Sequence, residues 1–467
     1  MKNIIPTLTL ASLSALISVS LFAANPIDQH NVLNPPKNII MVIADGTGPA
    51  YTTAYRYFND DPKTTVIEET VFDRMLVGMS STYPAAVSGY VTDSAASATA
   101  LATGVKTYNG AIGLDVNKKP VETVLEWAKK QGKKTGIVVT SQINHATPAS
   151  YLAHNESRRN YNPIADSYID DGIKADVYLG GGWEYFIRED RNLIEEFKAA
   201  GFHYVDTYKA LDTVPAKKPL IGLFSDRGLP WALDDSNSHR LSHFTKVATK
   251  QLENENGFFM LVEASQVDWA GHSNDIAAAM AEMDDLAKTM EYLENYVKQN
   301  PDTLVILTAD HSTGGFTIAA NGKYEWNPEV LRTIKQSPKR IAEKMVLNDI
   351  TLELTEKWLN FEVTQEEVKH FQETKRTTLS SLEAFSTSNK NTQKEMKKPD
   401  LHRALYVEIN KLIDMRTNTG WTSSGHTAVD VPVFAIGKQS DMFRGNLDNT
   451  DIAKRIFTLL GKKPSSK

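Results

Sequence analysis

The sequence predicts an α/β fold, a three-layer sandwich with a large, mainly parallel central sheet and a helical insertion late in the chain. Two observations carry that expectation. The apolar runs are short and nearly continuous rather than alternating, as in strands covered on both faces. Segments of helical periodicity lie between them, and such alternation builds parallel sheets.

In chain order the expected strands are Asn38–Ala44, Thr135–Thr140, Asp176–Leu179, Phe258–Val262, Thr303–Leu307 and Val431–Ile436. Val121–Gln131 and Ile276–Asn300 read as helices between them. The stretch from His311 to His426 is far longer than a strand connection needs. Within it, residues 320–418 carry helical runs at Arg340–Asn360 and Leu401–Arg416. Thr364 and Glu367 offer a capping box for a third helix. Ser386–Lys394 is polar and reads as a mobile connection. The insertion is expected to form a helical cap, with a mere surface decoration as the alternative.

With 41% hydrophobic and 23% charged residues, the chain has the make-up of a soluble globular protein. Its 467 residues can bury one large core or two ordinary ones. A formal net charge of -6 gives no reason to expect nucleic acid or an anionic membrane as partner. The chain has no cysteine, which excludes disulfides, thiolate metal sites and a cysteine nucleophile. Any metal must be held by His, Asp, Glu and hydroxyls.

Lys2 is followed by a largely apolar run from Ile4 to Ala24 with no acid, so residues 1–24 read as a secretory signal peptide. An uncleaved anchor is the alternative, because the run approaches the length of a membrane span. The expected product is periplasmic or secreted, comprises residues 25–467, and keeps no stable membrane anchor after cleavage.

Thr92-Asp93-Ser94-Ala95-Ala96-Ser97 places one serine where a turn opens into an Ala-rich helix. Free backbone N–H groups and the helix dipole at such a point favour an alkoxide or a bound phosphate. Small residues also occur at helix starts simply for close packing.

Ligands gather beyond the carboxyl ends of strands in parallel sheets. Asp45 follows the first expected strand, Glu263 ends Phe258–Val262, and Asp268 and His272 come next. Asp310 and His311 follow Thr303–Leu307, and His426 precedes the last strand. Four carboxylates and three imidazoles thus collect on one sheet edge, where unpaired acids would resist ionising together. Divalent cations are the natural remedy. Spacing alone would mislead: 57 acids and 11 histidines give about 1.3 acid-x-x-x-His matches by chance, and the chain has three. Asp235, His239 and His243 look better by pattern, as if on one helix face running toward Asn254, with Asp234, Asp235 and Ser236 as cap candidates. Strand-end placement favours Asp268 and His272 instead.

Asp45–Gly48, Thr92–Ser97, Glu263 with Asp268–His272, Thr308–His311 and Ser424–Thr427, in that order, resemble the alkaline phosphatases. The likeness extends over most of residues 38–318 and again over 420–437. It implies Ser94 as the nucleophile of a phosphoserine mechanism, with Arg158, rather than its neighbour Arg159, as the phosphate clamp. It implies Asp268, His272 and His426 as ligands of one zinc, and Asp45, Asp310 and His311 as ligands of a second that also holds the Ser94 oxygen. Asp45, Thr147 and Glu263 would hold a magnesium. Two Zn2+ and one Mg2+ per subunit, small phosphomonoester substrates, a homodimer and a cap near the active-site mouth or dimer interface follow by the same resemblance.

Two positions depart from the enteric bacterial form of that family. There an Asp precedes the magnesium threonine by two residues and a Lys follows the first zinc aspartate; here they are His145 and Trp269, as in animal and several marine or cold-adapted members. Losing that carboxylate implies weaker magnesium binding. The expected function is phosphomonoester hydrolysis at alkaline pH. A phosphodiesterase of the same superfamily is the first alternative, disfavoured by Ser94, Arg158, Thr147 and Glu263. A non-catalytic exported metal- or phosphate-binding protein is the second.

Overall fold

The computed structural model describes residues 34–463, so the expected signal peptide lies outside the described residues. A ten-stranded sheet forms the middle layer. Its strands are β1 (Asn38–Ala44), β2 (Leu76–Ser81), β3 (Lys134–Gln142), β4 (Val177–Gly181), β5 (His203–Val205), β6 (Leu220–Leu223), β7 (Phe258–Ala264), β8 (Thr303–Thr308), β9 (Val431–Gly437) and β10 (Gly445–Asp448). They lie in the order β10-β2-β9-β8-β1-β7-β3-β4-β6-β5.

β1 runs parallel to β7 and β8, with Val42 beside Val262 and Leu307. Its Ile40 and Val42 join one core, and Ile39, Met41 and Ile43 the other, all fully buried. Burial on both faces is why the run carries no polar alternation. β9 is a correction to the expected direction: it is antiparallel to both β8 and β2, with Phe434 opposite Leu307. It enters after the insertion and runs against every other strand.

The expected helices form as Val124–Lys130 and Ile276–Gln299, the first with a Thr123/Glu126 capping box. The insertion holds helices Glu329–Thr333, Pro338–Leu347, Leu352–Leu359, Gln365–Thr387, Lys390–Glu395 and Leu401–Thr417. The expected run Arg340–Asn360 is therefore two helices, because the Thr351 hydroxyl accepts from Leu354 N and starts a second one. The Thr364/Glu367 capping box is present. Ser386–Lys394, expected as a loose connection, is mostly helical, with Gln365–Thr387 running into it and Lys390–Glu395 following. Ile341, Met345, Leu405 and Ile409 of the insertion belong to the same buried core as Leu286 and Met290 of the long helix. No described helix is long and apolar enough to cross a membrane.

Candidate active site

The carboxyl ends of the sheet strands deliver the candidate residues to one place. Asp45 stands immediately after β1, Glu263 is the penultimate residue of β7, and Asp310 and His311 follow β8. All four are fully buried. Asp268 and His272 lie on the short helix Gln266–Ser273, and His426 lies on a two-stranded pairing with Thr313.

Ser94 is the first residue of helix Ser94–Thr103. Its Oγ is 3.1 Å from His311 Nε2. Asp93, the N-cap, accepts from Ala96 N at 3.0 Å through Oδ1 and from Arg158 Nη1 at 3.1 Å through Oδ2. One carboxylate therefore caps the serine helix and carries the arginine. Arg159 is exposed, and its backbone N–H turns to Ser157.

Tautomers follow from the partners. His272 Nδ1 is 2.7 Å from Ser424 O and His426 Nδ1 is 2.8 Å from Thr92 O. Carbonyls only accept, so both Nδ1 atoms carry a proton, and in the neutral rings both Nε2 atoms are the ones left with lone pairs. Those two Nε2 atoms face each other at 3.1 Å. Thr313 Oγ1 donates its one proton to Asp268 Oδ1 at 2.5 Å, so His311 Nδ1, 3.2 Å away, donates to it. His311 Nε2 therefore also presents a lone pair, 3.5 Å from Asp45 Oδ1 and 3.2 Å from Asp310 Oδ2.

Both oxygens of Asp45, Oδ2 of Asp310 and Oε1 of Glu263 are buried without a hydrogen-bond partner. Burial, then the neighbouring Asp310 and Asp268, holds the Asp45 carboxyl well above its usual range. Burial pushes Asp310 and Glu263 up to about 7. Imidazole nitrogens converge here with carboxylate oxygens that have no hydrogen-bond donor of their own, a set that fits cations. Asp268, His272 and His426 form one such group, Asp45, Asp268 and His311 a second, and Asp45, His145 and Glu263 a third, each with ligand atoms within 4.8 Å. The second shares Asp268 with the first, a closer merging than the sequence implied.

At the third group Glu263 Oε2 accepts from Ser265 at 2.7 Å and Ser141 at 3.2 Å. The fully buried Thr147 hydroxyl lowers the Glu263 pKa, yet makes no hydrogen bond of good geometry. His145 Nε2 sits 3.4 Å from Arg158 Nη2, and its Nδ1 has no partner. Burial, then Arg158, pushes His145 down to about 3, so it is neutral. Trp269 meets its ring edge-on, centroids 5.9 Å apart.

The rival set does not assemble. Helix Arg240–Leu252 begins after Asp235 and His239, and its N-cap is His239 rather than Asp234, Asp235 or Ser236. Asp235 accepts from Tyr208, while His239 and His243 pair with Asp284 and Asp212.

The alkaline phosphatase family model matches residues 36–462. The chain belongs to the alkaline phosphatase family. Alkaline phosphatase 3 of Bacillus subtilis is 45% identical over 91% of this chain and 89% of its own length. Among solved structures, the cold-active alkaline phosphatase of a psychrophilic Shewanella is similar at 47% identity and a TM-score of 0.81, covering 91% of this chain and 99% of that one. Alkaline phosphatase from the Antarctic bacterium TAB5 aligns at 26% identity and a TM-score of 0.65, over 92% and 99% of the two chains. A variant of it with one histidine changed to aspartate was solved with Mg bound. This chain is thus a hydrolase of a metal-dependent family whose members act on phosphomonoesters.

Asp93 and Thr313 were missed as site residues in the sequence. An acid before a serine reads only as a helix cap, and Thr313 gains meaning only once Asp268 and His311 flank it.

Proposed function

We propose that this alkaline phosphatase hydrolyses phosphomonoesters through a phosphoserine on Ser94. The observation that carries this reading is the inward set of Nε2 lone pairs from His272, His311 and His426 beside Ser94 Oγ. Asp268, His272 and His426 suit one zinc, and Asp45, Asp310 and His311 a second, since zinc accepts such mixtures. Asp45, Thr147 and Glu263 offer the all-oxygen set that magnesium prefers. When bound, the cations would stabilise charge on the attacking and leaving oxygens of an in-line displacement.

Arg158 grips two non-bridging phosphate oxygens, pre-oriented by Asp93. Ser94 Oγ attacks phosphorus, favoured as an alkoxide by the amides at its helix start, and the alcohol departs from the opposite side. Water then attacks the phosphoserine, freeing Ser94 and phosphate. Two inversions give net retention at phosphorus.

The apolar leader supports export. Exposed Val87, Tyr90 and Val91, just before Ser94, support a homodimer interface there, which light scattering would test. The inserted helices supply a cap over the core beside His272, since Tyr406, Asn410 and Asp414 share a cleft with that residue.

The decisive assay compares a phosphomonoester with a phosphodiester, with and without chelator, and traps phosphoserine at low pH. Monoester preference, loss on chelation and label on Ser94 are expected. Diester preference, or chelator-resistant turnover, would overturn the proposal.

A further inference from the structure

Trp269 touches a loop that the chemistry above does not use. Gly228 lies between Arg227 and Leu229, and a Cβ there would stand 2.4 Å from both Cη2 and Cζ3 of Trp269. Its φ is not in the left-handed region, so backbone conformation does not demand a glycine. The indole makes the closest approach, and Gln266 Nε2, at 3.3 Å from such a Cβ, is a looser second neighbour.

The loop itself is tied down on both sides. Before Gly228, Ser225 O accepts from Gly182 N and Trp183 N at 2.9 and 3.0 Å, and Arg227 pairs with Glu184. After it, Leu229 N donates to Thr140 O at 2.9 Å and Leu229 O accepts from Gln266 Nε2 at 2.6 Å. Gln266 is held in turn: the fully buried Arg240, which can only donate, takes Gln266 Oε1 and so turns its amide toward Leu229. Glu282 and Asp285 fix Arg240 at 2.8 and 3.2 Å.

We propose that Gly228 is a positioning residue: this strapped loop seats Trp269 against His145, and thereby sets the divalent cation affinity of the Asp45, His145 and Glu263 group. The inference rests on the metal reading of that group. A neutral His145 bridges the group and Arg158, and Trp269 supplies the edge contact that fixes its ring. Partners behind a ligand set commonly change metal affinity by about 10–100-fold.

The test titrates Mg2+ by calorimetry into zinc-loaded, magnesium-free enzyme: wild type, Gly228→Ala, Trp269→Phe and the double variant. Phenylalanine lacks the two indole atoms that the new methyl would strike. Gly228→Ala should weaken Mg2+ binding by about tenfold. In the Trp269→Phe background the same change should cost far less, a non-additivity that general destabilisation would not produce. Equal affinity in wild type and Gly228→Ala, or an equal loss in both backgrounds, would refute the role of Gly228. A wild-type enzyme that takes up no Mg2+ would refute the metal reading itself, and the proposal with it.

Discussion

Asp93 holds Arg158 through Oδ2 at 3.1 Å while its Oδ1 caps the helix that starts at Ser94. The proposed nucleophile and the proposed phosphate clamp are therefore positioned by one carboxylate. Asp93→Asn keeps an oxygen for the cap but loses the ionic hold on Arg158. Ordering a long side chain costs about 0.5–1.5 kcal/mol, so phosphate inhibition should weaken by about threefold to tenfold. Thermal stability should barely move. Unchanged inhibition by inorganic phosphate would show that Asp93 serves the cap alone.

Ser94→Ala should fold normally, because a methyl suits the small, buried helix start. Turnover should drop by orders of magnitude with a measurable residue, since water can attack directly while Arg158 still holds phosphate. Phosphoserine should vanish. A rate within a few-fold of wild type would end the serine mechanism.

Metal removal carries a pH signature. Without cations, burial raises Glu263 and Asp310 from 4.5 and 3.8 to about 7. Between those limits the folded chain binds more protons than the unfolded one, so stability falls as pH rises. Chelated protein should therefore melt lower at pH 8 than at pH 5, with the loss largely complete near pH 7. Loaded enzyme should lack this slope, because bound cations keep the carboxylates ionised. A chelated protein whose Tm rises from pH 5 to pH 8 would contradict the assigned protonation.

Exchanging His145 for Asp and Trp269 for Lys restores negative charge at the third group and adds positive charge near phosphate. Tighter Mg2+ binding and stronger phosphate inhibition are expected in the double variant. Where product release limits turnover, kcat should fall. The check is a Mg2+ titration beside a phosphate inhibition constant, and no change in either would remove both residues from this role.

The central strands were legible because β1, β7 and β8 are buried on both faces and read as unbroken apolar runs. β5, β6 and β10 have three or four residues each, too short for any period to show. β9 was found but not its direction, since hydrophobicity says nothing of which way a strand runs. The residues of the proposed metal groups were singled out through their strand-end placement and motif resemblance. Gly228 was not, because its meaning lies in the empty space beside Trp269, 41 positions away in sequence.

His426 stands 154 positions beyond His272, the residue its Nε2 faces. Asp45, Ser94, Thr147 and Arg158 all leave the ribosome in the first half of the chain. The histidine pair can close only after the insertion has been made, because His426 follows it and lies just before β9, the strand between β8 and β2. Contacts of such long sequence separation form late, after local structure has settled. A nascent chain thus owns its serine and its arginine without the pair that completes the group with Asp268. The last of these candidate ligands is therefore supplied by the chain's last quarter, long after Ser94 has been made.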